Sequence, residues 1–185
     1  VKYNLSLLSE EDFQQYHLFV KACFAESVHR RYTPELATVS SDWSDFPKSH
    51  QISLAESDSL GMTMSDFGEV NRKFHIWMTP SYRSPSTQFY KTLLHELCHG
   101  YAGLTQGHNA HWRRWYYRVL AHAVWGNILD IKLPETCYAV ERCYNSVGDL
   151  MSLPIEAANK AKEEHDRVMD RYMRSLLDAT CSNYV

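Results

Sequence analysis

Thr92-Leu93-Leu94-His95-Glu96-Leu97-Cys98-His99-Gly100 sets two histidines four residues apart, with a glutamate directly after the first. On a 3.6-residue period His95 and His99 stack one turn apart on a single helix face, so both imidazoles reach one ion. Glu96 then stands beside that ion, free to act as a base. A catalytic zinc requires this set: the metal lowers the pKa of a bound water toward roughly 7, and a neighbouring carboxylate takes the proton as the hydroxide attacks a carbonyl. The chemistry implied is hydrolysis of a peptide bond. A chain of this composition produces a His-Glu-x-x-His run by chance about 0.03 times, so the surrounding sequence must add to the motif.

Outward from the motif, Ser84 and Pro85 suit the N-cap and first position of a helix. Phe89, Leu93, Leu97 and Leu104 recur at helical spacing, which predicts a buried helix around the two histidines. A zinc of this kind takes a third protein ligand and keeps its fourth position for water. The metzincin pattern would place Gly and His where this chain has Ala102 and Thr105. A glutamate from a second helix leaves Glu135 and Glu141, both beyond Pro134 in a stretch of weak helical signal. His108 is better placed. It lies in Thr105-Gln106-Gly107-His108-Asn109, where Gly107 permits the left-handed backbone that reverses a chain. Asn109 suits the N-cap of a second helix carrying Trp112, Trp115, Tyr116, Val119, Leu120 and Ala123. That leaves His108 just outside the helix, able to point back at the ion. His111, in the first turn, is expected to support the site by hydrogen bonding, with direct ligation as the alternative.

These residues resemble the SprT-like zinc metallopeptidases, the family that includes the Spartan-type DNA–protein crosslink proteases. The resemblance is carried by Thr92 to Gly100, by Gly107-His108, and by Trp112, Trp115 and Val119-Leu120. Leu60-Gly61-Met62 and the run from Phe74 to Ser81 are more loosely similar to the family's two strands before the motif helix. It is sharp over residues 86–120, loose over 1–85 and ends before 130. It implies His95, His99 and His108 as ligands of Zn2+, Glu96 as the catalytic base, a zincin-like fold, a protein substrate and an association with DNA. Three features depart from the family pattern. Only eight residues separate His99 from His108, His111 stands where the family usually has Glu, and Cys137, Cys143 and Cys181 do not form the paired Cys-x-x-Cys knuckles of a C-terminal zinc ribbon.

At 185 residues, 44% hydrophobic and 13% aromatic, the chain can bury one core, and no stretch approaches the roughly 18 apolar residues of a membrane span. A single domain over 1–185 is expected, with a core of about 1–126 and a helical extension over 127–185. Val1-Lys2-Tyr3-Asn4 does not begin a secretory signal, and five cysteines without framework spacing suit a reducing compartment. A cytoplasmic protein is expected, or a nucleoid- or nucleus-associated one if it is linked to DNA. The net charge of −3 argues against a strong phosphate track. Arg30-Arg31, Arg72-Lys73 and Arg113-Arg114 are scattered, and weak, salt-sensitive DNA association through Arg113-Arg114 is the most they imply.

Ser9 as N-cap, Asp12 three residues on and a Leu8–Phe13 staple predict an N-terminal helix running to about Arg31, before Pro34. Residues 34–58 read as loop around at most one short strand, near Val39 or at Ile52-Ser53-Leu54. Alternation predicts strands at 59–64 and 70–78, the second being the expected edge for a substrate chain to join. Gly126 suits a helix end, 127–153 carry no readable pattern, and 154–179 form an amphipathic helix with Val168, Met169, Tyr172, Met173, Leu176 and Leu177 on the face expected to pack back. His17, His29, His50, His122 and His165 read as surface or half-buried polar residues, His75 as a strand-face residue, and Tyr101 and Tyr116 as packing. The expected fold is α+β and zincin-like, with a small, mostly antiparallel sheet against the N-terminal helix and the motif helix, plus C-terminal helices. Two functions fit: a zinc endopeptidase, or a zinc-bearing DNA- or protein-binding module with little turnover. Glu96 favours the first, since a structural site needs no such carboxylate.

Overall fold

Phe74, Ile76 and Met78 turn to one side of their strand and His75 and Trp77 to the other, and different helices cover the two sides. The computed structural model describes residues 1–25, 34–55, 57–66, 73–103, 107–129 and 155–182. Its elements are β1 (Lys2–Asn4), α1 (Glu10–Phe24), β2 (Glu35–Ser40), a 3-10 turn (Trp43–Asp45), α2 (Lys48–Ala55), β3 (Gly61–Ser65), β4 (Lys73–Met78), α3 (Thr87–Ala102), α4 (Ala110–Trp125) and α5 (Ile155–Ser182). The arrangement is α+β. Among the described residues, no helix is long and apolar enough to cross a membrane.

The strands lie in the order β1-β2-β4-β3. β1 pairs with β2 and β2 with β4 in parallel, and only β3 with β4 is antiparallel. The expected mostly antiparallel sheet is therefore corrected to a mixed one. Parallel neighbours need a crossover of a dozen or more residues, and α1 lies between β1 and β2, α2 and β3 between β2 and β4. The register of β2 shifts between Leu36 and Thr38. This bulge lets Leu36 and Val39, three residues apart, both enter the main core. The order also corrects the expected edge: β4 is internal, and among the described residues β3 is the edge on the motif side.

α1 and α3 cover one face, where Phe13, Phe19, Leu93 and Leu97 join Val39, Phe74, Ile76 and Met78 in a single core. α2 and the 3-10 turn cover the other, bringing Leu54 and Phe46 against Met64 and Trp77. Ile52-Ser53-Leu54 is thus helix and not strand. The Ser9 hydroxyl accepts the Asp12 N–H at 3.0 Å and donates to the Asp12 carboxylate at 2.7 Å, the expected cap of α1, and Leu8 and Phe13 are buried beside it. α1 ends at Phe24, and its expected continuation to Arg31 falls in 26–33, outside the described residues. Gly100 is required by close packing. A Cβ there would lie 2.2 Å from a carbon of the Phe74 ring, so α3 sits on β4 with no room for a side chain.

α5 packs back as expected, with four of the six residues of its stripe. Val168 and Tyr172 are buried in the main core and Met169 and Leu176 rest on it, whereas Met173 is 51% and Leu177 61% exposed. Tyr172 meets Phe19 edge to face, and the Arg171 guanidinium donates to the Ala22 carbonyl near the end of α1. α4 ends on Gly126, as expected. The left-handed residue is Asn127 (φ 55°), with hydrogen bonds from Asn127 N–H to Val124 O and from Ile128 N–H to Ala123 O closing the helix. Glu135, Glu141, Cys137 and Cys143 lie in 130–154, outside the described residues.

Candidate metal centre

The first two histidines owe their positions to the cap and close packing of α3. Its N-cap is Ser86, two residues beyond the expected Ser84, and the Ser86 hydroxyl accepts the Phe89 N–H at 3.3 Å. The helix stops at Ala102, because Gly103 takes φ 109° while its N–H still bonds to His99 O. The expected last turn at Leu104 falls in 104–106, outside the described residues. Chain reversal ends in Gly107 at φ 53°, the left-handed conformation expected there. Asn109 then caps α4, its side-chain oxygen accepting the Trp112 N–H at 3.0 Å.

This turn delivers His108 to the other two rings. The three Nε2 atoms lie 3.2 Å (His95 to His99), 3.1 Å (His99 to His108) and 3.0 Å (His95 to His108) apart, close to an equilateral triangle. Zinc–nitrogen bonds of about 2.0–2.1 Å at tetrahedral angles set ligand nitrogens roughly 3.3–3.4 Å apart, so the triangle fits an ion with little adjustment. Among the described residues, these three form the group able to hold a metal ion. Burial pulls the His95 pKa down to about 3, helped by His99 and His108, and burial with His108 pulls His99 down to about 4. Both rings are thereby kept in the neutral form that ligates.

Trp112 holds the triangle from below. Its buried ring stacks on His99 at 4.5 Å and meets His95 and His108 edge-on at 4.5 and 4.7 Å. Sequence reasoning placed Trp112 in an apolar stripe; its position three residues after the N-cap, facing back along α3, makes it the wall of the site.

Glu96 is 5% exposed, with Oε1 4.0 Å from His95 Nε2, beside the triangle and not part of it. Burial pushes its pKa up to about 7, and a hydrogen bond from Thr63 opposes that rise. The Thr63 hydroxyl, on β3, lies 2.6 Å from Glu96 Oε2 and 2.9 Å from the Glu96 carbonyl. Thr63 escaped the sequence reading, although a hydroxyl between Met62 and Met64 on a half-buried strand was a signal. Gly61 allows the approach: a Cβ there would meet Thr92 Cγ2 at 2.8 Å and Glu96 Cγ at 2.9 Å. The edge strand thus lies directly on the carboxylate.

A cleft of about 420 Å³ opens beside His95 and Glu96, between Ser59, Leu60 and Gly61 on one wall and α3 with Tyr116 on the other. The Tyr116 ring lies 5.2 Å from His95 and stacks on Trp112. Tyr101 is elsewhere, buried against Phe24 and Phe74 with its hydroxyl 2.7 Å from His17 Nε2, so packing is its role. His75 faces the opposite side of the sheet, 3.1 Å from Asp66. His111 is exposed in the first turn of α4 and does not join the three rings; Arg113 and Arg114 are exposed beside it. Comparison of the chain with protein-family models, curated proteins and solved structures finds no match in any of the three.

Proposed function

We propose that the protein is a zinc-dependent endopeptidase. The observation that carries this reading is the convergence of His95, His99 and His108 on one point, with the Glu96 carboxylate held beside it by Thr63 and facing an open cleft. Zinc, when bound, supplies a Lewis acid that polarises a substrate carbonyl and makes water a nucleophile near neutral pH. The three histidines hold the ion and Trp112 fixes their rings. Glu96 takes the proton from the attacking water and returns it to the leaving amine, a role suited to a carboxylate whose burial sets its pKa near 7. Thr63 keeps one carboxylate oxygen engaged, which leaves the other turned toward the water. The substrate in this reading is an unfolded or crosslinked protein segment laid along β3, the edge strand above the site. Any association with DNA is weak and runs through Arg113 and Arg114.

Glu96→Gln tests the mechanism. The variant and the wild type are both expected to bind one zinc per chain, while in the variant hydrolysis of an unfolded protein substrate falls about 10²–10⁴-fold, the usual worth of a positioned general base. Loss of zinc from the variant would place Glu96 on the metal and break the assignment.

A further inference from the structure

Lys91 lies one turn before His95 on the same face of α3, and it lines the cleft beside Glu96. Four residues of helix advance about 6 Å, within reach of one extended lysine side chain. Lys91 as a whole is half-buried, and among the described residues no carboxylate pairs with it. The acid that shares the cleft, Glu96, gives one carboxylate oxygen to Thr63 and keeps the other beside His95. The Tyr116 hydroxyl reaches the Lys91 carbonyl at 3.5 Å, tying this turn of α3 to α4. The remaining lining is neutral: Ser59, Leu60, Gly61, Gln88 and Thr92. A substrate side chain entering the cleft therefore meets the Lys91 charge, which no described carboxylate pairs, beside the ion that the three histidines would hold and in surroundings less screened than bulk water.

We propose that Lys91 selects substrates carrying a carboxylate side chain, Asp or Glu, next to the scissile bond. The proposal rests on the peptidase reading above and names which polypeptides that site prefers. The preference is local. The net charge of −3 repels acidic chains at a distance, so overall electrostatics would favour basic substrates, and Lys91 is the side-chain cation of the cleft lining that favours acidic ones. Rising ionic strength should weaken the long-range repulsion more than the half-buried contact, leaving the acidic preference in place.

Two arms test this. In the first, a mixed-sequence peptide library is digested by the zinc-loaded protein and the cut sites are mapped by mass spectrometry. Wild type should enrich Asp and Glu at one fixed position beside the cut, with kcat/KM about tenfold above matched Asn and Gln peptides, the scale of one charged hydrogen bond. Lys91→Glu should reverse the preference toward Lys and Arg, and Lys162→Glu, on the exposed face of α5, should leave it unchanged. In the second arm, fluorescence anisotropy compares the affinities of Glu-containing and Gln-matched peptides for Glu96→Gln protein, with and without Lys91→Glu. Tighter binding of the Glu peptides that disappears in the double variant supports the proposal even if turnover is never seen. Equal preference in wild type and Lys91→Glu, or a uniform loss on all peptides in Lys91→Glu, overturns it. Absence of any cleavage by wild type overturns the peptidase reading and leaves the binding arm to decide on Lys91.

Discussion

Among the described residues, the histidine cluster of α3 and the turn before α4 and the pair joining α4 to α5 differ in what they leave open. In the first, three Nε2 atoms point at one another within 3.2 Å, a carboxylate stands to one side on a strand hydroxyl, and a cleft reaches the group from solvent. In the second, His122 of α4 meets His165 of α5 through their Nδ1 atoms at 3.2 Å, with rings stacked 5.3 Å apart. Glu164 lies 3.6 Å from His122 Nε2, but the Arg118 guanidinium already holds the same carboxylate oxygen. His122 is 1% exposed, and no third ligand joins this pair among the described residues. Histidine density does not distinguish the two clusters. What does is the number of nitrogens that converge and whether the neighbouring carboxylate is spoken for. The first arrangement can hold an ion and pass a proton, while the second fastens α5 to α4.

Four substitutions probe that contrast, in descending order of effect. His108→Ala removes one corner of the triangle and is expected to lower zinc affinity by orders of magnitude, read by competition with a chromophoric chelator. His111→Ala, at an exposed position outside the triangle, should stay within the roughly tenfold lower bound of changes that act through a ligand's partner. If His111→Ala empties the site and His108→Ala leaves it full, the assignment of the third ligand is wrong.

Thr63→Val keeps the shape of the side chain and removes the hydrogen bond to Glu96. Turnover should drop about tenfold with zinc retained, because one charged hydrogen bond is worth about 1.5–3 kcal/mol and part of it is recovered by water. Unchanged steady-state kinetics would show that Glu96 needs no support from the edge strand. His122→Ala should act on stability alone, costing about 1–3 kcal/mol by emptying a packed, hydrogen-bonded position. A lower melting temperature at unaltered zinc stoichiometry supports the contrast, and loss of zinc would merge the two clusters into one functional unit.

The triangle was legible because its parts are local. His95 and His99 are fixed by helical period, and the Gly107-His108-Asn109 turn follows from one left-handed glycine and one cap. The boundaries of α3 were less so, since Ser84 and Ser86 are both competent caps and the helix begins on Ser86. The sheet was misread where long-range pairing decides. β1 has three residues, too few to show a period, and the parallel pairings of β1 with β2 and of β2 with β4 join elements distant in sequence. α2 carries only a weak amphipathic pattern over Lys48–Ala55, and Leu54 becomes core because Trp77 and Met64 present an apolar face to it. His122 looked like a polar surface residue because its burial depends on α5, which returns from more than thirty residues away. The role of Thr63 was hidden for the same reason: its partner, Glu96, lies 33 positions on.

X-ray absorption at the zinc edge of the purified, zinc-loaded protein tests the central claim most directly. The account predicts a four-coordinate ion with three imidazole nitrogens at about 2.0–2.1 Å and one oxygen from water, and one nitrogen fewer in His108→Ala. Four protein ligands would describe a closed structural site and contradict the peptidase, and failure to retain a stoichiometric metal would contradict the centre itself.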